Sequence, residues 1–177
     1  MRRFLDSTYR SAGWAAAICL FLIFALVAVQ VSARLVDALL RLAGQHPTGF
    51  TIRSIAEICG FLLAGASFLA LAHTLTVGGH IRVGVFIDRL PSGIRRVVEA
   101  IVGIAAAIIG AYMTVALARL TWKSWAFNDV SYGFIPIPLA LPQALMTIGL
   151  ALLSVAVLDV TIKAWRKRDF LDSGSEV

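Results

Sequence analysis

The side chains able to do chemistry are few, and almost all stand at the edges of uncharged runs. Glu57 and Glu99 sit where apolar stretches begin, Asp159 sits near the end of one with Lys163 four residues on, and His73 lies about two turns inside another. A carboxylate at a helix start is stabilised by the backbone dipole. An acid and a lysine four residues apart on a helix form an ordinary solvated pair. Both readings are structural. Haem ligation would need a second histidine at matched depth on a facing helix, and His46 and His80 fall in connecting segments. No Cys-x-x-Cys, no metal-ligand spacing and no Ser–His–carboxylate set occurs. The sequence therefore predicts no enzyme, with no catalytic, cofactor-binding or metal residues. Cys19 and Cys59 lie toward opposite ends of antiparallel apolar runs. Their separation is roughly 15 Å at 1.5 Å rise per residue, against the ~7 Å a disulfide tolerates, so they read as packing residues.

The elements around these side chains follow from where the charges are missing. Of 177 residues, 59% are hydrophobic and 15% charged, a shift from soluble composition toward a membrane protein. Gly13–Ala33, Ile58–Ile81, Ala100–Ala118 and Val130–Leu158 contain no Asp, Glu, Lys or Arg. Each can hold the roughly 20 apolar residues that cross a bilayer core of ~30 Å. Pro136, Pro138 and Pro142 push the helical part of the last run to about Leu139. The expectation is an all-α integral membrane fold: one four-helix domain over 1–177, spans at about 13–36, 55–79, 97–118 and 139–160, and a frayed charged tail from about 166. Arg2, Arg3 and Arg10 before an apolar run ending in Val31-Ser32-Ala33 imitate a cleaved signal, but the run exceeds the usual 7–15 residues, which favours a retained helix.

Local patterns refine this outline. Leu35, Leu39 and Leu42 keep an apolar face past Ala33, opposite Arg34, Asp37 and Arg41, so the first helix should outlast the bilayer until Gly44 stops it. Ser54-Ile55-Ala56-Glu57 reads as a capping box, and Ser92 as a cap for the third span. Val83, Phe86, Ile87 and Leu90 repeat at i, i+3, i+4, i+7 with Arg82, Asp88 and Arg89 off that face, which predicts a short amphipathic segment at the interface. Gly60/Ala64 and Ala66/Ala70 on span two, and Gly103/Ala107/Ala111 on span three, are small residues four apart that would let helices approach closely.

The formal charge of +6 fits lipid contact, and no basic run carries a nucleic-acid signature. With both termini inside, eleven Lys and Arg fall on the cytoplasmic side and five outside: Arg34, Arg41, Arg53, Arg119 and Lys123. The positive-inside rule selects that orientation. Tyr9, Trp14 and Trp165 would anchor the inner interface, with Trp122, Trp125, Phe127, Tyr132 and Phe134 at the outer one.

The string Leu71-Ala72-His73-Thr74-Leu75-Thr76-Val77-Gly78-Gly79-His80-Ile81-Arg82-Val83, followed by Asp88-Arg89-Leu90-Pro91, resembles the signature of the small membrane subunit of TRAP (tripartite ATP-independent periplasmic) transporters. The segment Ser131–Pro138 with Pro142-Gln143 and Gly149 resembles that family's lead-in to its fourth span. The likeness runs from about Thr8 to Lys167. Gly84 departs from it: the family commonly has an acid there, a part Asp88 could take one turn on. The resemblance implies a multi-pass protein of the bacterial inner membrane in a three-part uptake system. Its partners would be a large membrane subunit driven by a sodium gradient and a periplasmic binding protein for an organic acid, with no cofactor in this chain. It implies a scaffold role, with Gly78, Gly79, His80, Arg82, Asp88, Arg89 and Pro91 toward the partner subunit, and makes the five outer cations candidates for docking the binding protein. Ordinary headgroup contact explains those cations equally well. The competing class, an anchor subunit of another complex such as a respiratory enzyme, should show paired haem histidines or a quinone pocket. A stand-alone exporter should show a charge well inside a span.

Overall fold

Each charge-poor run holds one helix, and the first, third and fourth helices continue well past the apolar part of their runs. The computed structural model describes residues 2–77 and 91–173. The helices are α1 (Arg2–Leu42), α2 (Ile55–Thr76), α3 (Ser92–Ala126) and α4 (Ala140–Ser173). All four are long and apolar enough to cross a membrane, and the described residues contain no strand, only an isolated bridge between Val130 and Pro138. At 41 residues α1 is about 60 Å long, twice a ~30 Å hydrocarbon core. α4 stays helical through Ser173, so the segment from about 166 that read as a frayed tail continues the helix. Ala164, Arg166, Lys167 and Arg168 are good helix formers, and their propensity carries the helix on.

Helix ends are set by backbone motifs more than by side-chain caps. Gly44 at φ 71 closes α1: its N–H donates to Arg41 O at 3.1 Å while Gln45 N–H donates to Leu40 O at 2.8 Å. That pair of bonds is a Schellman motif, and the left-handed residue it needs costs glycine nothing. α3 closes the same way on Asn128 (φ 51), with Asp129 N–H donating to Ser124 O at 2.9 Å. At the starts, the expected caps are absent. Ser54 is left-handed and makes no side-chain cap bond, because its Oγ accepts Ile135 N–H at 3.1 Å instead. Pro91 occupies the cap position of α3 and Ser92 is already helical. Glu99 is therefore well inside α3, where it pairs with Arg95 at 2.9 Å.

Contacts place the helices in the order α1–α2–α4–α3, with α2 and α4 parallel and the outer pairs antiparallel. α1 offers Tyr9, Ala12, Ala16 and Cys19 to Ala66, Leu69 and Ala72 of α2, with Leu152 and Ala156 of α4 against the same cluster. Tyr9 is 2% exposed. It is a core residue here and not the interfacial anchor its position suggested, because Ala72 and Ala156 opposite leave room for its ring. Cys19 and Cys59 are free thiols. His73 packs its ring over Gly13, 3.0 Å from where a Cβ would stand.

α4 is the hub and carries two seams. Leu145, Gly149, Leu152 and Ala156 face α2, and Gly149 lies directly on the backbone of Phe68 and Leu69. Thr147, Ser154 and Thr161, seven residues apart, face α3. They meet Thr121 (3.1 Å), Thr114 (3.5 Å) and Gly103 respectively. On α3 the facing residues Gly103, Ala107, Gly110, Thr114 and Thr121 keep a period near 3.5, the spacing of a left-handed helix pair. The small-residue expectation is thus met on α3 at Gly103 and Ala107, whereas Ala111 is exposed. On α2 Gly60 faces open space, and the close approach uses Gly65 and Ala66.

A methyl group at Gly149 would collide with the Phe68 carbonyl and the Leu69 amide nitrogen. Gly149→Ala should destabilise the detergent-solubilised protein by about 1–3 kcal/mol, the usual range for overpacking, seen as a lower unfolding temperature. Gly60→Ala, whose methyl meets nothing within 4 Å, should hold or slightly raise that temperature, since alanine is the better helix former.

Candidate functional site

The end of the bundle that carries the 43–54 and 127–139 connections holds the five cations picked out by sequence. Arg34 and Arg41 project from α1, Arg53 immediately precedes Ser54 and α2, and Arg119 and Lys123 share a face near the end of α3; all five are exposed. They are not one cluster. α1 and α3 flank opposite sides of the α2–α4 pair, so the cations form three groups along a rim. Large exposed aromatics join them: Phe50, Trp122, Trp125, Phe127, Tyr132 and Phe134. Such a rim of arginine, lysine and aromatic side chains suits an anionic surface, either lipid headgroups or an acidic protein face.

What shapes the rim is a strap that sequence reading did not find. Past Ala33, α1 overhangs the bundle, and the chain must return about 12 residues to reach the start of α2. Between its end turns this return belongs to no helix or strand, so its N–H groups need other acceptors. Asp37 supplies them: Oδ1 accepts Thr48 N–H at 2.7 Å and Thr48 Oγ–H at 2.6 Å, and Oδ2 accepts Gly49 N–H at 3.1 Å. One heptad earlier, Gln30 Oε1 accepts Ile52 N–H at 2.8 Å. Gln30 is 5% exposed. The available signal was register: Tyr9, Ala12, Ala16, Cys19, Ile23, Leu26, Gln30, Ala33, Asp37 and Leu40 alternate steps of three and four, so both polar residues fall on the packing seam of α1.

The second connection packs onto the start of α2. Asn128–Leu139 folds back through Ser131 N–H to Ile137 O (2.9 Å) and Leu139 N–H to Asp129 O (3.0 Å). Ser131 Oγ accepts Ile137 N–H at 3.2 Å, and Ser54 Oγ ties the loop to α2. Glu57 tucks its carboxylate beneath Gly133, where any Cβ would collide with it. One oxygen, Oε2, is buried without a hydrogen-bond partner. Glu57 therefore acts as a support for this loop and not as half of a capping box.

Gly78, Gly79, His80, Arg82, Asp88 and Arg89, together with the predicted amphipathic segment, lie outside the described residues. Pro91 is the described member of that motif, and it stands as the first residue before α3 with φ −53, preorganised for a helix start. Among the described residues no three His, Cys, Asp or Glu side chains come together.

A protein-family model described as tripartite ATP-independent periplasmic transporters, DctQ component, matches residues 23–167, most of the chain. No curated protein and no solved structure matches it.

Replacing Asp37 with alanine removes three acceptor contacts from the strap. Hydrogen exchange at the Thr48 and Gly49 amides should accelerate roughly tenfold or more in Asp37→Ala, since opening of such a segment is governed by its local bonds. Exchange within α2 should stay the same.

Proposed function

As a member of the DctQ family of tripartite ATP-independent periplasmic transporters, the chain is the small membrane subunit of such a system, and we propose that it serves there as a fixed scaffold for the large membrane subunit. The observation that carries this reading is the plainness of the helices. Among the described residues no span is broken and the hydroxyls of the α3–α4 seam bond their own helix: Thr114, Thr121, Thr147, Ser154 and Thr161 each donate to the carbonyl four residues back. A coupled carrier builds its site from discontinuous helices with polar backbone exposed at mid-membrane. The family is one of transporter components and not of enzymes.

In this proposal the protein sits in the bacterial inner membrane with both termini in the cytoplasm, as the distribution of Lys and Arg favours. The strapped rim then faces the periplasm, where Arg34, Arg41, Arg119 and Lys123 meet the acidic face of the binding protein. The large subunit carries the substrate, an organic acid, and couples its entry to a sodium gradient; the small subunit binds no cofactor. The Gly78–Arg89 motif serves as a contact with the large subunit.

Two measurements test this. In a background lacking Cys19 and Cys59, single cysteines at Gln45 and Tyr132 should react with an impermeant thiol reagent from the periplasm, while those at Gly93 and Ser173 should not. Labelling of Gly93 from outside would reverse the orientation. Proteoliposomes containing this chain alone should show no sodium-driven uptake with binding protein outside, and adding the large subunit should start it. Transport by the chain alone would refute the scaffold assignment.

A further inference from the structure

On one face of α2, at the loop end, a cation without an acid stands above an apolar trough without a side chain to fill it. Arg53 lies four residues before Glu57, a spacing that pairs such residues on a helix. Here the left-handed turn at Ser54 intervenes, and Glu57 is turned beneath Gly133. Among the described residues no ion pair or hydrogen bond engages the Arg53 side chain. Arg53 instead borders an open depression with Thr51, Ile55 and Phe134. One turn along α2, Ile58 and Leu62 form a wholly apolar groove of about 170 Å³ with Ile137, Leu141 and Leu145.

The two features adjoin: Ile55 and Phe134 border the depression, and Ile58 and Ile137, each three residues on, line the groove. α2 and α4 run parallel, so both walls of the groove descend from the loop end toward the middle of the bundle. Its floor is Leu145, which closes on Gly65, 3.1 Å from where a Cβ would stand. From Ile55 at its start to Leu62, α2 rises roughly 10 Å, within one leaflet of a ~30 Å core. Exposed Trp122 and Trp125 at the same end of α3 mark the level of the headgroups.

We propose that this face holds one phospholipid, its phosphate on Arg53 and one acyl chain in the groove between α2 and α4. The guanidinium is the side chain best matched to phosphate oxygens, and the groove below it offers no polar group to anything else. A partner helix would meet a strip only about one turn long with an arginine at its lip. A single phospholipid satisfies both the cation and the trough. Glu57 does not oppose the phosphate from within, since its carboxylate lies under the 127–139 loop and does not line the groove.

The test is native mass spectrometry of the full chain, delipidated in detergent and supplied with phosphatidylglycerol, both alone and with the co-purified large membrane subunit. Wild type should retain one phosphatidylglycerol in both settings. Arg53→Ala should weaken retention roughly tenfold, and Leu141→Trp, which fills the groove from an exposed position, should do the same. Arg41→Ala removes a cation from the same end but not from the groove, and should retain lipid like wild type. Diacylglycerol with the same chains should compete roughly tenfold less well than phosphatidylglycerol. Equal retention by wild type, Arg53→Ala and Leu141→Trp would overturn the proposal, as would equal competition by diacylglycerol. Displacement of the lipid by the large subunit would also overturn it, making the face a protein interface.

Discussion

Everything in this bundle depends on how closely α4 can approach its two neighbours. In a bilayer an apolar side chain gains little by leaving lipid for another helix, so association rests on dispersion contacts and on hydrogen bonds between helices. α4 meets this constraint differently on its two sides. Toward α2, Gly149 lets the backbones of two parallel helices touch at Phe68 and Leu69. Toward α3, Thr147 and Ser154 come within 3.1 and 3.5 Å of Thr121 and Thr114, a close contact of small polar side chains whose protons go to their own helix carbonyls. With the α1–α2 contact, these two seams fix the width of the whole rim.

The price of long helices is the chain that must join them. α1 overshoots the bundle, and the irregular return segment would leave backbone N–H groups unpaired if Asp37 and Gln30 did not accept them. The second connection solves the same problem internally, through Ser131 and the Val130–Pro138 bridge, and then rests on Ser54 and Glu57. The consequence is that both connections are held against helix surfaces. Arg53 is fixed at the top of α2 by this arrangement, and Arg34 and Arg41 project from a helix and not from a loose loop.

Legibility in the sequence followed the range of the interaction. Span number, the stop at Gly44 and the delayed start of the last helix were readable, because charge-free length, left-handed glycine and clustered proline act locally. The likeness of Leu71–Val83 and its neighbours to one transporter family was readable as a string, and the family match over residues 23–167 bears it out. Caps failed where a distant partner competed: Ser54 read as a cap until Ile135, 81 residues on, took its hydroxyl. Tyr9 read as an anchor because tyrosine favours interfaces, yet two alanines from α2 and α4 opened a core site for it. Gly60 and Gly149 are indistinguishable by composition, and only the packing separates the exposed one from the essential one. Asp37 looked like surface charge, although its place on the α1 seam was a signal that periodicity could have given.

Taken together, unbroken helices, self-satisfied hydroxyls and strapped connections make a body with little to move, which is the physical content of the scaffold proposal. The most direct measurement is the distance between spin labels at Leu39 on α1 and Trp122 on α3, both exposed at the rim, by pulsed electron paramagnetic resonance in the assembled transporter. The account predicts the same distance distribution with sodium alone, with sodium and substrate, and with the binding protein docked. A shift or a second population that follows substrate or docking would contradict it, and would make this subunit a moving part of the transport cycle.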